Sequence, residues 1–186
     1  MSIIDMQQHI ISAFPSGMNV KPCMTPFSSK VVYIDDSKIL GKCIWIEKIE
    51  DETKYLKITN PTKKIIVLFA IDGCFYGRSQ PPKHCDCIIF DDNTFCFAEL
   101  KLDYKSRNPH ENTIKKTRNK AINQLLSTFK IFRDAFSNNF LGFSLEAYIC
   151  TPTHYPAIST KFQNFSLKTS RNLGLTLIES NKKTFT

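Results

Sequence analysis

The chain has 186 residues, 42% of them hydrophobic, and a formal net charge of +8. Its longest strongly apolar run, residues 65–71, is far too short to cross a bilayer, and the first residues lack the pattern of a secretion signal, so we expect no membrane partner. The length suits one domain with its own core, and we expect residues 1–186 to form a single domain. The positive charge favours a polyanionic partner, most simply nucleic acid, although solubility alone would also account for it.

The cysteines are seven in number, and nothing around them indicates a secreted protein. The odd count therefore predicts reduced thiols and a cytoplasmic location. A structural zinc site is the alternative for His84, Cys85, Cys87 and Cys96. The thiol interpretation is favoured because no C-x-x-C pair is present.

The N-terminal third predicts one helix followed by strands. Ser2 and Asp5 are typical of a helix start, and apolar residues at helical spacing continue to Phe14, before Pro15. Residues 15–30, rich in proline, predict a loop. Alternating apolar residues then predict a three-stranded meander over residues 31–34, 42–49 and 55–58, with the first turn at residues 35–37.

The continuous apolar run at residues 65–71 is typical of a strand buried on both faces. The Gly- and Pro-rich loop that follows is long enough to predict a functional segment rather than a plain connection. Within it, Arg78 and Lys83 are candidate phosphate contacts, with a solvated loop as the alternative.

Residues 86–101 form the motif around which we expect the chain to be organised. Two apolar, β-favouring runs flank the polar residues 91–94, which predicts a hairpin. With the turn centred on Asp92-Asn93, the expected cross-strand pairs are Phe90 with Phe95 and Ile88 with Phe97. One inserted bulge residue would break this register.

The same register places Asp86 opposite Glu99, and strand alternation puts Lys101 on the face of Glu99. Two adjacent carboxylates repel each other, and a divalent cation removes that conflict; oxygen ligands of this kind suit Mg²⁺ or Mn²⁺. A nearby lysine orients a bound water or holds the developing charge on a phosphate. The alternative is a surface hairpin in which Glu99 and Lys101 only form a solvated face.

A polar linker at residues 103–112 precedes a long helix predicted at 112–138, which has an apolar stripe and a basic N-terminal half. Gln124 lies near its buried face, as either a structural amide or a site residue. Strands are predicted at 145–150 and 173–178, and the polar, aromatic residues between them are given no element.

This order of elements, together with Asp86, Glu99 and Lys101, resembles the PD-(D/E)XK nuclease superfamily over residues 64–150. The resemblance implies an α/β fold: a mixed central β-sheet with flanking helices, and a restriction-endonuclease-like αβββαβ core with an extra N-terminal β meander. It also implies that Asp86, Glu99 and the Leu100 carbonyl bind Mg²⁺, for which Mn²⁺ can substitute. Lys101 would then position the attacking water.

In this family a Gln or Lys often follows on the next helix, which matches Gln124 or Lys120. Two departures from the family pattern are present. Cys85 stands where a proline is usual, and the first helix offers no glutamate, only Asp5, Gln7 and Gln8, so that Glu47 or Glu50 would have to substitute.

The resulting expectation is a Mg²⁺-dependent nuclease, a DNA endonuclease of a bacterial defence or restriction system, acting as a homodimer or as a subunit of a larger complex. The expected catalytic residues are Asp86, Glu99, Lys101 and Gln124. The expected nucleic-acid contacts are Arg78, Lys83, Lys105, Lys115, Lys116, Arg118 and Lys120. The alternatives are a non-catalytic nucleic-acid-binding module on the same fold and a protein-assembly module whose basic surface meets an acidic partner.

Overall fold

In a computed structural model of the chain, the described residues are 2–14, 20–76, 84–102, 110–136, 140, 142–152, 155 and 160–186. The helices in this part of the chain are α1 (Ile3–Ala13), α2 (Glu111–Ala135) and α3 (Thr160–Leu173). The strands are β1 (Met24–Phe27), β2 (Val31–Ser37), β3 (Lys42–Ile46), β4 (Leu56–Thr59), β5 (Ile66–Ala70), β6 (Cys87–Phe90), β7 (Thr94–Leu100), β8 (Ser144–Cys150), β9 (Leu175–Glu179) and β10 (Lys182–Thr184). The protein is α/β, with mixed sheets flanked by helices.

The larger sheet has six strands in the order β1-β5-β6-β7-β8-β9. Strands β1, β5, β6 and β7 pair antiparallel, whereas β8 and β9 add to β7 in parallel. The helix α2 lies between β7 and β8 in the chain, as a parallel connection requires. The sheet is therefore mixed, as predicted.

The hairpin register predicted from the sequence is confirmed. Phe90 pairs with Phe95 and Ile88 with Phe97. The turn between the two strands is held by the buried Asp91, whose Oδ1 accepts hydrogen bonds from the backbone N–H groups of Asn93 (2.9 Å) and Thr94 (2.7 Å). This side-chain capping of the turn positions both strands without a bulge.

The smaller sheet has four strands in the order β10-β4-β2-β3, so the predicted meander is wrong. Strand β2 continues through residues 35–37 instead of turning there, and it pairs with β3 on one edge and β4 on the other. Val32 and Ile34 of β2 are fully buried, which explains its central place. The C-terminal β10 completes the sheet by pairing in parallel with β4.

The two sheets and the helices form three layers with two apolar clusters. Helices α1 and α2 cover one face of the larger sheet, where Met6, Phe97 and Phe132 pack together. The smaller sheet covers the other face, where Val32 and Ile89 pack. Because β5, β6 and β7 are buried on both faces, their sequences are almost continuous apolar runs.

Besides β10, a further strand and a helix appear where none was predicted. Strand β1 lies within the predicted loop and contains Pro26, which is tolerated because β1 pairs only with β5 at the edge of the sheet. Helix α3 occupies the polar segment before β9 and is held there by a hydrogen bond from Ser166 Oγ to Leu177 O (2.8 Å). None of the helices in the described ranges combines the length and the apolar character needed to span a bilayer.

The expectation that all cysteines are reduced is wrong for two of them. Cys23 and Cys74 form a disulfide between residues 51 positions apart. The pairing of Met24 with Phe69 brings the start of β1 beside the end of β5, so that Cys23 reaches the turn that carries Cys74. The other cysteines, Cys43, Cys85, Cys87, Cys96 and Cys150, are buried free thiols.

Candidate active site

The predicted carboxylates meet at the end of the β6–β7 hairpin. Cys87 pairs with Ala98, which places Asp86 and Glu99 as the next residues of the two strands. Asp86 Oδ2 accepts a hydrogen bond from Leu100 N (2.5 Å), and its carbonyl accepts from Ile71 N (3.0 Å) and Asp72 N (3.2 Å). Asp86 is thus held by β7 and by the turn that follows β5.

Glu99 is fully buried and pairs with Lys101 two residues further along. Lys101 Nζ donates a hydrogen bond to Glu99 Oε1. The lysine backbone is anchored in turn by a hydrogen bond from its N–H to Cys150 O (2.8 Å), and its side chain is 20% exposed. Within the described part of the chain, Glu99 Oε2 has no hydrogen-bond partner.

The electrostatics of this cluster disfavour two negative charges. Burial raises the pKa of Asp86 to about 7, and the charges of Asp36 and Asp72 add to that effect, although Lys101 and the Leu100 N–H oppose it. Burial and then the charge of Asp86 raise the pKa of Glu99 well above its usual value, against the opposing effect of Lys101.

For Lys101, in contrast to the two carboxyl groups, the cluster favours the charged form. Burial lowers the pKa of Lys101, but the charges of Glu99 and Asp86 and the hydrogen bond to Glu99 outweigh burial, so the net pKa is raised. Lys101 is therefore a firmly protonated cation beside two carboxylates, and one cation leaves the pair incompletely compensated.

The donor set fits a hard divalent cation. Asp86 and Glu99 offer carboxylate oxygens, one of which is buried without a partner, and Leu100 between Glu99 and Lys101 offers a carbonyl. Within the ranges described, no cluster of three or more His, Cys, Asp or Glu side chains has a metal-holding arrangement. Mg²⁺ commonly binds through only one or two carboxylates, with waters and substrate phosphates completing its shell.

Helix α2 positions the segment that leads into Asp86. Gln124 Nε2 donates to His84 O (2.7 Å), and Thr128 Oγ1 accepts from Cys85 N (2.8 Å) while donating to Gln124 O (3.0 Å). Both side chains are buried. Thr128 was not predicted as a site residue; the signal was a second polar residue one turn after Gln124 on an otherwise apolar stripe.

His84 and Cys96, which were weighed as zinc ligands, lie in different surroundings. The His84 ring stacks on Tyr76, with the centroids 3.6 Å apart and the planes 8° from parallel. Cys96 pairs with Ile89 inside the hairpin and packs in the cluster between the two sheets.

The predicted basic residues of α2 lie in two different environments, because the lysines are exposed and Arg118 is largely buried. Lys115, Lys116 and Lys120 are exposed, and the last two line a groove of about 540 Å³ together with Gln124 and the polar residues Asn119, Asn123 and Ser127. Gln124 connects this groove to the Asp86 segment. The remaining predicted contacts Arg78, Lys83 and Lys105 lie outside the described residues.

Arg118, in contrast, points to the neighbouring strand. Its Nε donates to both carboxylate oxygens of Glu179 on β9 (3.0 and 2.9 Å), and Thr151 Oγ1 donates to the same carboxylate (2.8 Å). Only 15% of the Arg118 side chain and 5% of the Glu179 side chain are exposed. This ion pair joins α2 to the larger sheet, so we no longer expect Arg118 to be a principal phosphate contact.

No protein-family model, no curated protein and no solved structure matches this chain.

Proposed function

We propose that the protein is a Mg²⁺-dependent nuclease that hydrolyses phosphodiester bonds, with DNA as its substrate. The observation that carries this proposal is the meeting of Asp86, Glu99 and Lys101 at the end of one hairpin, with a buried carboxylate oxygen left without a partner. A surface hairpin has no physical reason to bury two carboxylates beside each other.

The arrangement of elements supports the resemblance to the PD-(D/E)XK superfamily. Helix α1 is followed, after the smaller sheet's first strands, by the antiparallel strands β5, β6 and β7, then by α2 and the parallel strand β8. That order supports the proposal of an αβββαβ core. The proposed finer fold is therefore a restriction-endonuclease-like core that carries a second sheet on one face.

Each residue of the cluster has a separate task in the proposed reaction. Asp86, Glu99 and the Leu100 carbonyl would hold Mg²⁺, which when bound polarises the scissile phosphate and lowers the pKa of a coordinated water. The Lys101 ammonium orients the attacking water and balances the charge that develops on the phosphate. The bond between Lys101 and Glu99 keeps that ammonium in place.

Helix α2 contributes binding and positioning. Lys116 and Lys120 line the groove and would contact backbone phosphates, so DNA binding should fall steeply with salt. Gln124 acts on the backbone at His84 rather than on the substrate, and so it is a positioning residue for Asp86.

The proposal is tested by plasmid cleavage with Mg²⁺, comparing the parent with Asp86→Asn and Glu99→Gln. Removing an outer-shell partner of a bound metal typically costs about 10- to 100-fold in activity. Each of these two variants removes a proposed direct ligand, so its cleavage rate should fall by more than that. Both should bind DNA in EDTA as tightly as the parent does, because they keep the lysines of α2.

A matched control is Glu52→Gln, because Glu52 also pairs with a lysine, Lys57 (3.0 Å), but lies 53% exposed beside the smaller sheet. This variant should cleave at the parental rate. If Glu99→Gln cleaves as fast as the parent, the site assignment is wrong.

A second candidate is a nucleic-acid-binding module without catalysis. It is favoured by the pairing of Lys101 with Glu99, which compensates one buried carboxylate without a metal ion. This candidate predicts salt-sensitive DNA binding that Mg²⁺ does not change, and no cleavage by the parent.

A further inference from the structure

The β2–β3 hairpin ends in an apolar tip. Residues 38–41 connect the two strands, and Ile39 is 95% exposed and Leu40 59% exposed. Hairpin loops usually consist of polar residues and glycine, because an exposed apolar side chain gains nothing from folding. Two adjacent apolar side chains at such a tip indicate a contact made outside the fold.

The tip is rigid. Gly41 N donates to Ser37 O (2.6 Å), and Leu40 N donates to Ser37 Oγ (3.3 Å). Gly41 adopts a positive φ of 65°, which closes the loop. Its carbonyl lies against Gly73, where an added Cβ would come within 1.7 Å of the Gly41 oxygen. A rigid apolar tip loses little conformational entropy when it inserts into a partner.

The base of the same hairpin borders the proposed active site. Cys43 on β3 packs in the cluster between the two sheets together with Cys87, the residue after Asp86. Gly41, next to the tip, lies against Gly73, and the neighbouring Asp72 N donates to Asp86 O (3.2 Å). Ile39 is two residues from Gly41, so their Cα atoms are at most about 7 Å apart.

The place of the tip beside the proposed active site and the net charge of the whole chain favour a nucleic-acid duplex as its partner. Lys38 and Lys42 flank the two apolar side chains and Asp35 and Asp36 precede them, so the hairpin end carries both signs, whereas the whole chain carries a net charge of +8. Proteins that kink DNA insert apolar side chains such as Leu and Ile between base steps, while neighbouring cations contact phosphates.

We propose that Ile39 and Leu40 form a wedge that enters a base step of double-stranded DNA next to the bond to be cleaved. The inference rests on the proposed function for its choice of DNA as the partner. It assigns the duplex, rather than a single strand, as the substrate, because a wedge is of use only where bases are stacked in pairs.

The experiment uses the full chain in EDTA and a duplex in which 2-aminopurine, whose fluorescence rises on unstacking, is placed at successive positions. Parent protein should raise the fluorescence at one step, a few base pairs from the bond cut when Mg²⁺ is added. The double variant Ile39→Ser/Leu40→Ser should lose this rise and bind the duplex about tenfold more weakly, with unchanged affinity for single-stranded DNA.

The matched control is Ile65→Ser. Like the tip residues, Ile65 is an exposed apolar residue (57%) and follows a lysine. It lies just before β5, at the end of the larger sheet where Lys64 pairs with Asp91, which is the end away from Asp86. This variant should unstack and bind the duplex as the parent does. The single variant Ile39→Ser should show an intermediate loss if both side chains contribute.

The outcomes separate the wedge from the nuclease activity. A double variant that binds and unstacks the duplex like the parent overturns the wedge, whether or not the parent cleaves. A parent that unstacks the duplex through Ile39 but never cleaves it upholds the wedge and removes the nuclease assignment. If the double variant instead changes the sedimentation of the free protein while unstacking is preserved, the tip is a protein contact and the proposal is wrong.

Discussion

Asp86 is a residue that stabilises the fold most when it is protonated. Burial raises its pKa from the usual 3.8 to about 7, so the folded chain holds this proton more tightly than the unfolded chain does. Such a group contributes stability that is fully present below the unfolded pKa and is lost as the pH rises through the folded pKa. Between about pH 4 and pH 7, its contribution therefore falls as the pH rises.

Asp86→Asn keeps an acceptor for the Leu100 N–H but removes the charge. We expect the variant to be about 2–4 kcal/mol more stable than the parent at pH 8, and equal to it near pH 4, in urea unfolding without divalent ions. Adding Mg²⁺ should stabilise only the parent, because the ion binds a carboxylate that the variant lacks.

The matched control is Asp51→Asn. Hydrogen bonds from Thr53 lower the pKa of Asp51, and 44% of its side chain is exposed. Its removal should not stabilise the protein at pH 8. An Asp86→Asn variant that is less stable than the parent at pH 8 would show that the carboxylate is well compensated in the fold.

At the scale of elements, α2 does more than cover the larger sheet. Its Gln124 and Thr128 side chains bind the backbone at His84 and Cys85, directly before Asp86. Thr128→Val preserves the shape but leaves the buried Cys85 N–H without an acceptor. We expect a loss of about 1–3 kcal/mol in urea unfolding and slower cleavage, because Asp86 is less well positioned.

Thr169→Val is the matched control for this prediction. Thr169 is also buried in a helix, and its hydroxyl donates to the carbonyl of Phe165 one turn earlier, as Thr128 does to Gln124. Among the described residues, no other segment donates a hydrogen bond to its hydroxyl, whereas Cys85 N donates to that of Thr128. If both variants lose the same free energy of unfolding, the loss comes from the hydroxyl-to-carbonyl bond within the helix and not from the bond to Cys85.

At the scale of the whole molecule, the Cys23–Cys74 disulfide connects the start of the edge strand β1 to the turn after β5. The loop that it closes spans 51 positions, so the bond restricts the unfolded chain considerably. Cys23→Ser/Cys74→Ser should lower the free energy of unfolding by about 2–4 kcal/mol. Reductant should lower the thermal midpoint of the parent and leave that of the variant unchanged.

The sequence predicted best what depends on near neighbours. The β6–β7 register follows from the polar turn at residues 91–94 and from strand alternation, and both act over a few residues. The long helix follows from its apolar stripe, and the structure places it at Glu111–Ala135. The meeting of Asp86, Glu99 and Lys101 came from the same local register.

The missed features depend on segments far apart in the chain. Strand β1 exists because β5 offers it an edge, and α3 forms on β9 although its own sequence is polar. The order β10-β4-β2-β3 requires the C-terminus to return to β4. No pattern within these segments predicts such partners, because each segment buries its surface only after the others have folded.

The sequence by itself determined the hairpin, its charged end and the basic helix that follows. Only the tertiary structure decided which cations remain exposed, which cysteines pair, and that the hairpin of a second sheet lies against the turn whose backbone bonds to Asp86. The physical reason is range: turn chemistry and side-chain alternation act within one element, whereas burial and ion pairing are set by whichever element arrives opposite.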